Sequence, residues 1–231
     1  FVDFSLLDET VSNLATKIGA ISVGKTNNKG NIIYTDWKKN IAGRTKNSME
    51  VSGDTPFYIG FTSGMTGTPK GFIRTHQSWV ARFKASGIEF GITHHDHILS
   101  PGPLVHSLTL YAAIEGLSTG ATIYLLDKFN AQAVVKNIHR NKITVLVAVP
   151  TMLKAILRIA NRHKLKFPTV RALISGGSKL DPVLREQLSE LFTTATVFEF
   201  YGASELSFVS ILSSKETGPL ESIGRPFHGV E

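Results

Sequence analysis

The spacing of apolar positions along the chain changes character near residue 56. Before it, Leu6, Leu7, Val11, Leu14 and Ile18 recur close to helical spacing and predict a helix over residues 5–18. Residues 25–31, rich in Asn, Lys and Gly, read as a polar loop. After it, residues 57–62 predict a strand, 63–70 its loop and 71–76 a returning strand, which puts a glycine-rich segment at a hairpin tip. A helix follows over 77–86 with Trp79 and Phe83 on one face. Short apolar runs then alternate with amphipathic stretches. The strands fall at 98–100, 122–126, 144–149, 170–175 and 196–200, and the helices at 108–117, 131–141, 151–163 and 181–192. Pro150 opens the third of these helices; Asp181 caps the fourth, with Pro182 in its first position. The alternation predicts an α/β fold, a parallel sheet covered by helices on both faces, with 196–200 as the closing strand.

That layout carries a functional expectation. Open parallel sheets bind ligands beyond the carboxyl ends of their strands. The segments there are 101–106, 150–151, 175–179 and 201–205, and three of the four are rich in Gly, Ser, His or Glu. Ser175-Gly176-Gly177-Ser178 suits either a flat ring lying against backbone or an ordinary strand-to-helix turn. In Tyr201-Gly202-Ala203-Ser204-Glu205, the ring could stack on a base, Ser204 could donate to a phosphate and Glu205 could hold Mg²⁺; a loop with a solvated Glu is the plainer reading. The hairpin tip reads Phe61-Thr62-Ser63-Gly64-Met65-Thr66-Gly67-Thr68-Pro69-Lys70-Gly71. Glycines let backbone N–H groups approach phosphate oxygens, hydroxyls donate or bind a metal, and lysine neutralises charge, so this loop fits a polyphosphate.

Two further patterns invite a functional reading and fail it. His94-His95-x-His97 lies in a turn before a strand, without the one-face spacing of a helical zinc site. Gly19-Ala20-Ile21-Ser22-Val23-Gly24-Lys25-Thr26 satisfies the Walker A expression to the letter. That loop needs a buried strand before it and a helix N-terminus after it. Here the preceding segment reads as helical, and Asn27-Asn28-Lys29-Gly30 is a poor helix start, so the match is read as accidental. His106, after a strand end, is a better functional candidate.

Composition narrows the classes. A length of 231 residues is enough to bury one large core or two small ones. The apolar runs are too short to span a membrane, and no signal peptide opens the chain, whose first residue, Phe1, suggests processing or a fragment. The absence of cysteine rules out disulfides, thiolate zinc sites and cysteine nucleophiles, and fits a cytoplasmic protein. A net charge of +7 favours polyanionic partners such as nucleotides or coenzyme A. The basic residues are scattered, with no aromatic-basic ribbon, so nucleic acid is not expected.

Taken together, residues 62–71, 201–205 and 223–231 resemble the adenylate-forming (AMP-binding) superfamily of acyl-CoA synthetases, peptide-synthetase adenylation domains and luciferases, most closely the bacterial long-chain acyl-CoA synthetases. The first segment resembles the family's phosphate loop Y-T-S-G-T-T-G-x-P-K-G, the second its Y-G-x-[ST]-E motif and the third its G-x-P-x-x-G-x-E segment, in order and spacing. The resemblance implies a ligase that uses ATP and Mg²⁺ to convert a carboxylic acid to an acyl-adenylate, then passes the acyl group to CoA or to a carrier-protein thiol. It implies that Thr62, Ser63, Gly64, Thr66, Gly67 and Lys70 hold the β- and γ-phosphates. Gly176, Gly177, Ser178 and Tyr201 would frame adenine. Ser204 would contact the α-phosphate, Glu205 would carry Mg²⁺, and His106 would stand beside the α-phosphate and the acyl carboxylate. Parts of 107–111 with Gly202 and Ala203 would line the acyl pocket.

The chain departs from the family pattern in places. Met65 replaces a hydroxyl residue, and Thr109 stands where many acyl-CoA synthetases have Gly, which implies a narrower or differently shaped acyl channel. The family's T-G-D aspartate and C-terminal-domain lysine are expected beyond Glu231. Residues 1–55 would then be a preceding part of the large domain and 56–231 its nucleotide- and acyl-binding core, without the C-terminal lid domain; such a piece is expected to be inactive alone. Amino-acid-activating relatives place an Asp near the fourth motif, but Leu104-Val105-His106-Ser107 has no carboxylate. That favours a fatty or aryl acid and CoA. The alternatives are delivery to a carrier protein and a nucleotide-binding module without ligase activity.

Overall fold

The computed structural model describes residues 2–3, 21–23, 32–33, 50–62, 70–216 and 221–231. The chain divides into two compact units, Phe1–Glu50 and Val51–Glu231. In the first, β1 (Val2–Asp3), β2 (Ile21–Val23) and β3 (Ile32–Ile33) form a parallel three-stranded sheet in the order β1-β2-β3. The helix expected over 5–18 and the loop at 25–31 lie outside the described residues. β2 occupies three positions inside the Walker-like match, where a phosphate-wrapping loop would have to curl. The accidental reading therefore rests on an extended segment within the match rather than on a helix before it.

The second unit opens with the expected hairpin, β4 (Pro56–Thr62) paired antiparallel with β5 (Lys70–Thr75). Helix α1 (His76–Phe90) follows directly, its N-terminus capped by Thr75, whose hydroxyl accepts from the Ser78 N–H at 3.3 Å. It runs one turn past the expected end and through Gly87, because Phe90 is buried in the core, and stops at Gly91 in the left-handed region (φ 61°). The rest alternates as the pattern implies: β6 (His97–Ser100), α2 (Ser107–Thr119), β7 (Thr122–Leu125), α3 (Ala131–Arg140), β8 (Val145–Val147), α4 (Pro150–Arg162), β9 (Ala172–Ser175), α5 (Pro182–Leu191) and β10 (Thr196–Ala203).

One expectation fails. The series does not close at residue 200. β10 runs on to Ala203 and turns back into β11 (Ser207–Ser213), which pairs antiparallel with it and with β12 (Arg225–Pro226). β11 hides from pattern reading because serines share its buried positions with Phe208 and Ile211; buried Ser210 is satisfied by donating to the Ile223 carbonyl at 2.7 Å. The sheet is thus seven-stranded, in the order β12-β11-β10-β9-β8-β6-β7, parallel from β7 to β10 and antiparallel at the other edge.

Successive residues of the central strands feed two cores. Leu99, Leu146 and Leu173 pack on one face with the apolar stripes of α3, α4 and α5. Ile98, Val145, Val147 and Ile174 pack on the other with α1, α2 and the aromatic residues Phe208 and Phe227. β8 and β9 are buried at every position, the signature of a strand covered on both faces. Each fully buried leucine side chain stabilises the fold by about 2 kcal/mol.

At the amino ends of the parallel strands, Asp96 ties three segments together. It accepts from Arg171 (2.6 and 2.9 Å), from the Thr144 hydroxyl (2.7 Å) and from the Thr93 N–H (2.8 Å). Burial disfavours its charge, but these bonds outweigh burial and hold the carboxyl below its ordinary range. The opposite ends of the strands are left open for a site.

Candidate active site

The site grows from the carboxyl ends of β9 and β10 and the start of α2. After Ser175 the chain turns through Gly176, Gly177 and Ser178. A Cβ at Gly176 would fall 2.3 Å from the Phe200 ring, and Gly177 takes φ 87°, so both positions favour glycine. Glu199, buried on β10, fixes the turn from below: it accepts from the Leu180 N–H at 2.6 Å and pairs with Arg185 at 3.2 Å. Lys179 fixes it from the side by donating to the Ser222 carbonyl at 2.9 Å. A cavity of about 270 Å³ lies between this turn and the end of β10, with Ser178, Tyr201 and Ile223 among its walls.

Tyr201, Gly202 and Ala203 belong to β10 itself, not to a loop after it, and the register shifts between Tyr201 and Gly202. The shift turns the chain so that Tyr201 is exposed and the Ser204-Glu205-Leu206 turn sits at the hairpin tip. A Cβ at Gly202 would lie 2.2 Å from the Ser207 carbonyl oxygen, so the two hairpin arms can approach this closely only with glycine there.

A second cavity, of about 250 Å³, shares the walls Gly177, Phe200 and Gly202 with the first. Ser107, Leu108 and Tyr111 of α2 line it, together with Ala203 and Ser204. The Ser107 and Ser204 hydroxyls are 2.8 Å apart and join the two sides. Behind Tyr111, its hydroxyl lies 3.1 Å from Ser86 Oγ, which is also hydrogen-bonded to the Glu115 carboxyl. Glu115 is 3% exposed, and burial pushes its pKa up to about 8.

The sequence candidates distribute unevenly over this geometry. Gly177, Ser178, Tyr201 and Ser204 line the two cavities, whereas Gly176 lines neither and packs against the Phe200 ring. Glu205 is exposed on the hairpin tip beside Ser204. Thr62 and Lys70 face each other at the end of the β4–β5 ladder, while Ser63, Gly64, Thr66 and Gly67 lie outside the described residues. His106 is the residue before α2 and is exposed; its neighbour Ser107, not His106, lines the cavity. Among the described residues no three His, Cys, Asp or Glu side chains converge as a metal site. His97 is structural: its Nδ1–H donates to the Asn141 carbonyl at 2.7 Å.

Among the wall residues that sequence reading missed are Tyr58 on β4, Arg74 on β5 and Trp79 on α1. Tyr58 and Arg74 are cross-strand partners, so one face of the hairpin delivers both. The available signal was their position on strands flanking a phosphate-type loop.

The model of the family described as "AMP-binding enzyme" matches residues 6–231. The chain is 38% identical over 182 residues to the uncharacterized acyl-CoA ligase YhfT of Bacillus subtilis, an overlap of 78% of this chain and 37% of that protein. It superposes with a TM-score of 0.73 and 26% identity on an o-succinylbenzoate CoA synthetase (MenE) from Bacillus subtilis bound to a product analogue, covering 94% of this chain and 46% of that one. VinN, solved with L-aspartate, superposes at a TM-score of 0.80 with 22% identity, covering 94% and 59%, and shares the fold. The chain spans well under half the length of YhfT.

Proposed function

The chain belongs to the AMP-binding enzyme family, and from that premise we propose that it is the nucleotide- and acyl-binding core of an AMP-forming acid–CoA ligase. The carrying observation is the pair of cavities that share the walls Gly177, Phe200 and Gly202, one with the exposed Tyr201, Lys179 and Glu199 among its walls, the other lined largely by apolar side chains. Adenine lies in the first, against the Gly176-Gly177-Ser178 turn and Tyr201. The acyl group lies in the second. The α-phosphate sits at their junction, where Ser204, oriented by Ser107, donates to it.

In the first step a carboxylate oxygen attacks the α-phosphorus, the bond to the pyrophosphate oxygen breaks, and acyl-AMP forms. In the second the CoA thiolate attacks the acyl carbon and AMP leaves. The protein's part is positioning and charge neutralisation. The loop from Thr62 to Lys70, with Ser63, Gly64, Thr66 and Gly67, holds the β- and γ-phosphates, and Lys70 offsets the charge that builds on pyrophosphate. His106, at the rim beside Ser107, attends the acyl carboxylate.

The hairpin tip suits a magnesium ion. A hard cation of this kind takes one or two carboxylates and completes its shell with phosphate oxygens and water, and Glu205 is an exposed carboxylate beside the Ser204 hydroxyl. Bound there, Mg²⁺ would neutralise phosphate charge.

No carboxylate lines the acyl cavity among the described residues, and its one cation is Arg74. A substrate ammonium would find no counter-charge, which favours an acid without an amine, fatty or aryl, and CoA as acceptor. Among the described residues no helix is long and apolar enough to cross a membrane. ATP–pyrophosphate exchange by the full-length protein tests the reading. We expect acid-dependent exchange and, with CoA present, thioester and AMP. Exchange with no carboxylic acid overturns the ligase; exchange without CoA transfer, but with transfer to a carrier-protein thiol, overturns the acceptor.

A further inference from the structure

We propose that Arg74 is an anion-receiving group on the wall of the acyl cavity, and that the preferred acid carries a second carboxylate on its acyl group. The inference rests on the ligase reading above and goes beyond it by naming the substrate class.

Arg74 is the single buried residue of β5, with 8% of its surface exposed. Its Nε donates to Ser78 Oγ at 3.3 Å and its Nη2 to the Ser78 carbonyl at 3.2 Å, both long bonds to neutral acceptors. Nη1 makes no hydrogen bond among the described residues, and the described ion pairs belong to Arg171, Arg185 and Arg225 instead. Burial, reinforced by the nearby charge of Arg82, lowers its pKa, yet a guanidinium stays protonated in a protein. The buried Glu115 is largely protonated at neutral pH and supplies no counter-charge. The result is a buried cation without a carboxylate partner among the described residues, and an anion would complete it.

Trp79 packs beside it. The Arg74 guanidinium lies 5.8 Å from the Trp79 ring centroid, and the indole Nε1 is itself fully buried, out of reach of a ligand in the cavity. The other wall residues include apolar Leu108, Val149 and Phe208. A buried cation on the wall of a largely apolar cavity matches a ligand that is mostly apolar and carries an oxyanion besides its reacting carboxylate. A plain alkyl tail would leave the cation without an anion.

The test uses the full-length protein with a ladder of α,ω-alkanedioates and the matched alkanoates, plus benzene-1,4-dicarboxylate against benzoate, read by ATP–pyrophosphate exchange. We expect kcat/KM for the best dicarboxylate to exceed that of its matched monocarboxylate at least tenfold. Arg74→Leu should collapse that ratio by ten- to a hundredfold, and Arg74→Lys should retain part of it. A purely structural role for Arg74 would lower both rates alike and leave the ratio unmoved, which overturns the proposal, as does a wild-type preference for monocarboxylates. Calorimetric titration with the same acids reads binding apart from catalysis. Dicarboxylate binding lost in Arg74→Leu supports the inference even if exchange fails and the ligase reading falls; equal binding to both proteins, or none, overturns it.

Discussion

The hydroxyls of Ser107 and Ser204 meet at 2.8 Å across 97 residues of chain, joining the first turn of α2 to the hairpin tip after β10. A single hydrogen bond of this kind adds about 1 kcal/mol to stability, so its placement on the wall of the largely apolar cavity matters more than its strength. Ser204→Ala should lower acid-dependent kcat/KM by about tenfold or more, with only a small loss of thermal stability. Ser107→Ala, which frees Ser204 but leaves it in place, should cost less. Equal losses in the two variants, measured by pyrophosphate exchange, would reduce Ser204 to a structural partner of Ser107.

Glu205 is exposed on the hairpin tip. Glu205→Gln should therefore change unfolding free energy by no more than about 0.5 kcal/mol. Exchange measured against Mg²⁺ concentration should fall at least a hundredfold. Retained activity with an unchanged Mg²⁺ requirement would remove Glu205 from the site.

Glu115 gives the fold a pH dependence of known sign. Its folded pKa is raised from the ordinary 4.5 to about 8, chiefly by burial. Between those values the folded protein holds a proton that the unfolded chain has released. Its contribution is thus full below about pH 4.5 and lost as pH rises through about 8. The hydrogen bond from Ser86 offsets part of this shift but burial outweighs it, and Tyr111 is itself pushed up by burial and then by the Glu115 charge. The loss is of order a few kcal/mol. Urea unfolding of the full-length protein on both sides of neutrality should show it, and Glu115→Gln should flatten the slope.

Asp96 offers the contrasting case, far from the cavities at the amino ends of the strands. Asp96→Asn breaks a buried clamp on Arg171, whose own side chain is 40% exposed and so partly screened. The expected cost is about 2–3 kcal/mol of stability. Because the folded pKa is lowered, the wild-type contribution is present at neutral pH and is lost as pH falls below the ordinary carboxylate range. Denaturant midpoints should drop in the variant near neutrality and converge with the wild type in acid, while KM for ATP stays unchanged.

How much of this was legible in the chain varies element by element. The alternation from β6 to β10 could be read because strand and helix periods are local properties, and caps such as Asp181-Pro182 mark boundaries chemically. β11 could not, because Phe208, Ser210, Ile211 and Ser213 face inward together and blur the period of two. The loop positions of Gly176, Gly177 and Ser204 were legible from composition, since turns of this kind need small residues. The strand character of Tyr201 was not, because the hairpin that extends β10 depends on a partner downstream.

The sequence by itself determined the α/β class, the order of the loops at the strand ends and the family whose motifs they carry, because each is written in short stretches of chain. Tertiary structure alone decided what those loops enclose. An arginine on a short strand after a polar loop reads as solvent-facing, and a helical tryptophan reads as core. Only the packing of α1, α2 and the end of β10 around them turns Arg74 and Trp79 into one wall of a cavity. Burial is a property of what arrives from elsewhere in the chain, and no local pattern records it.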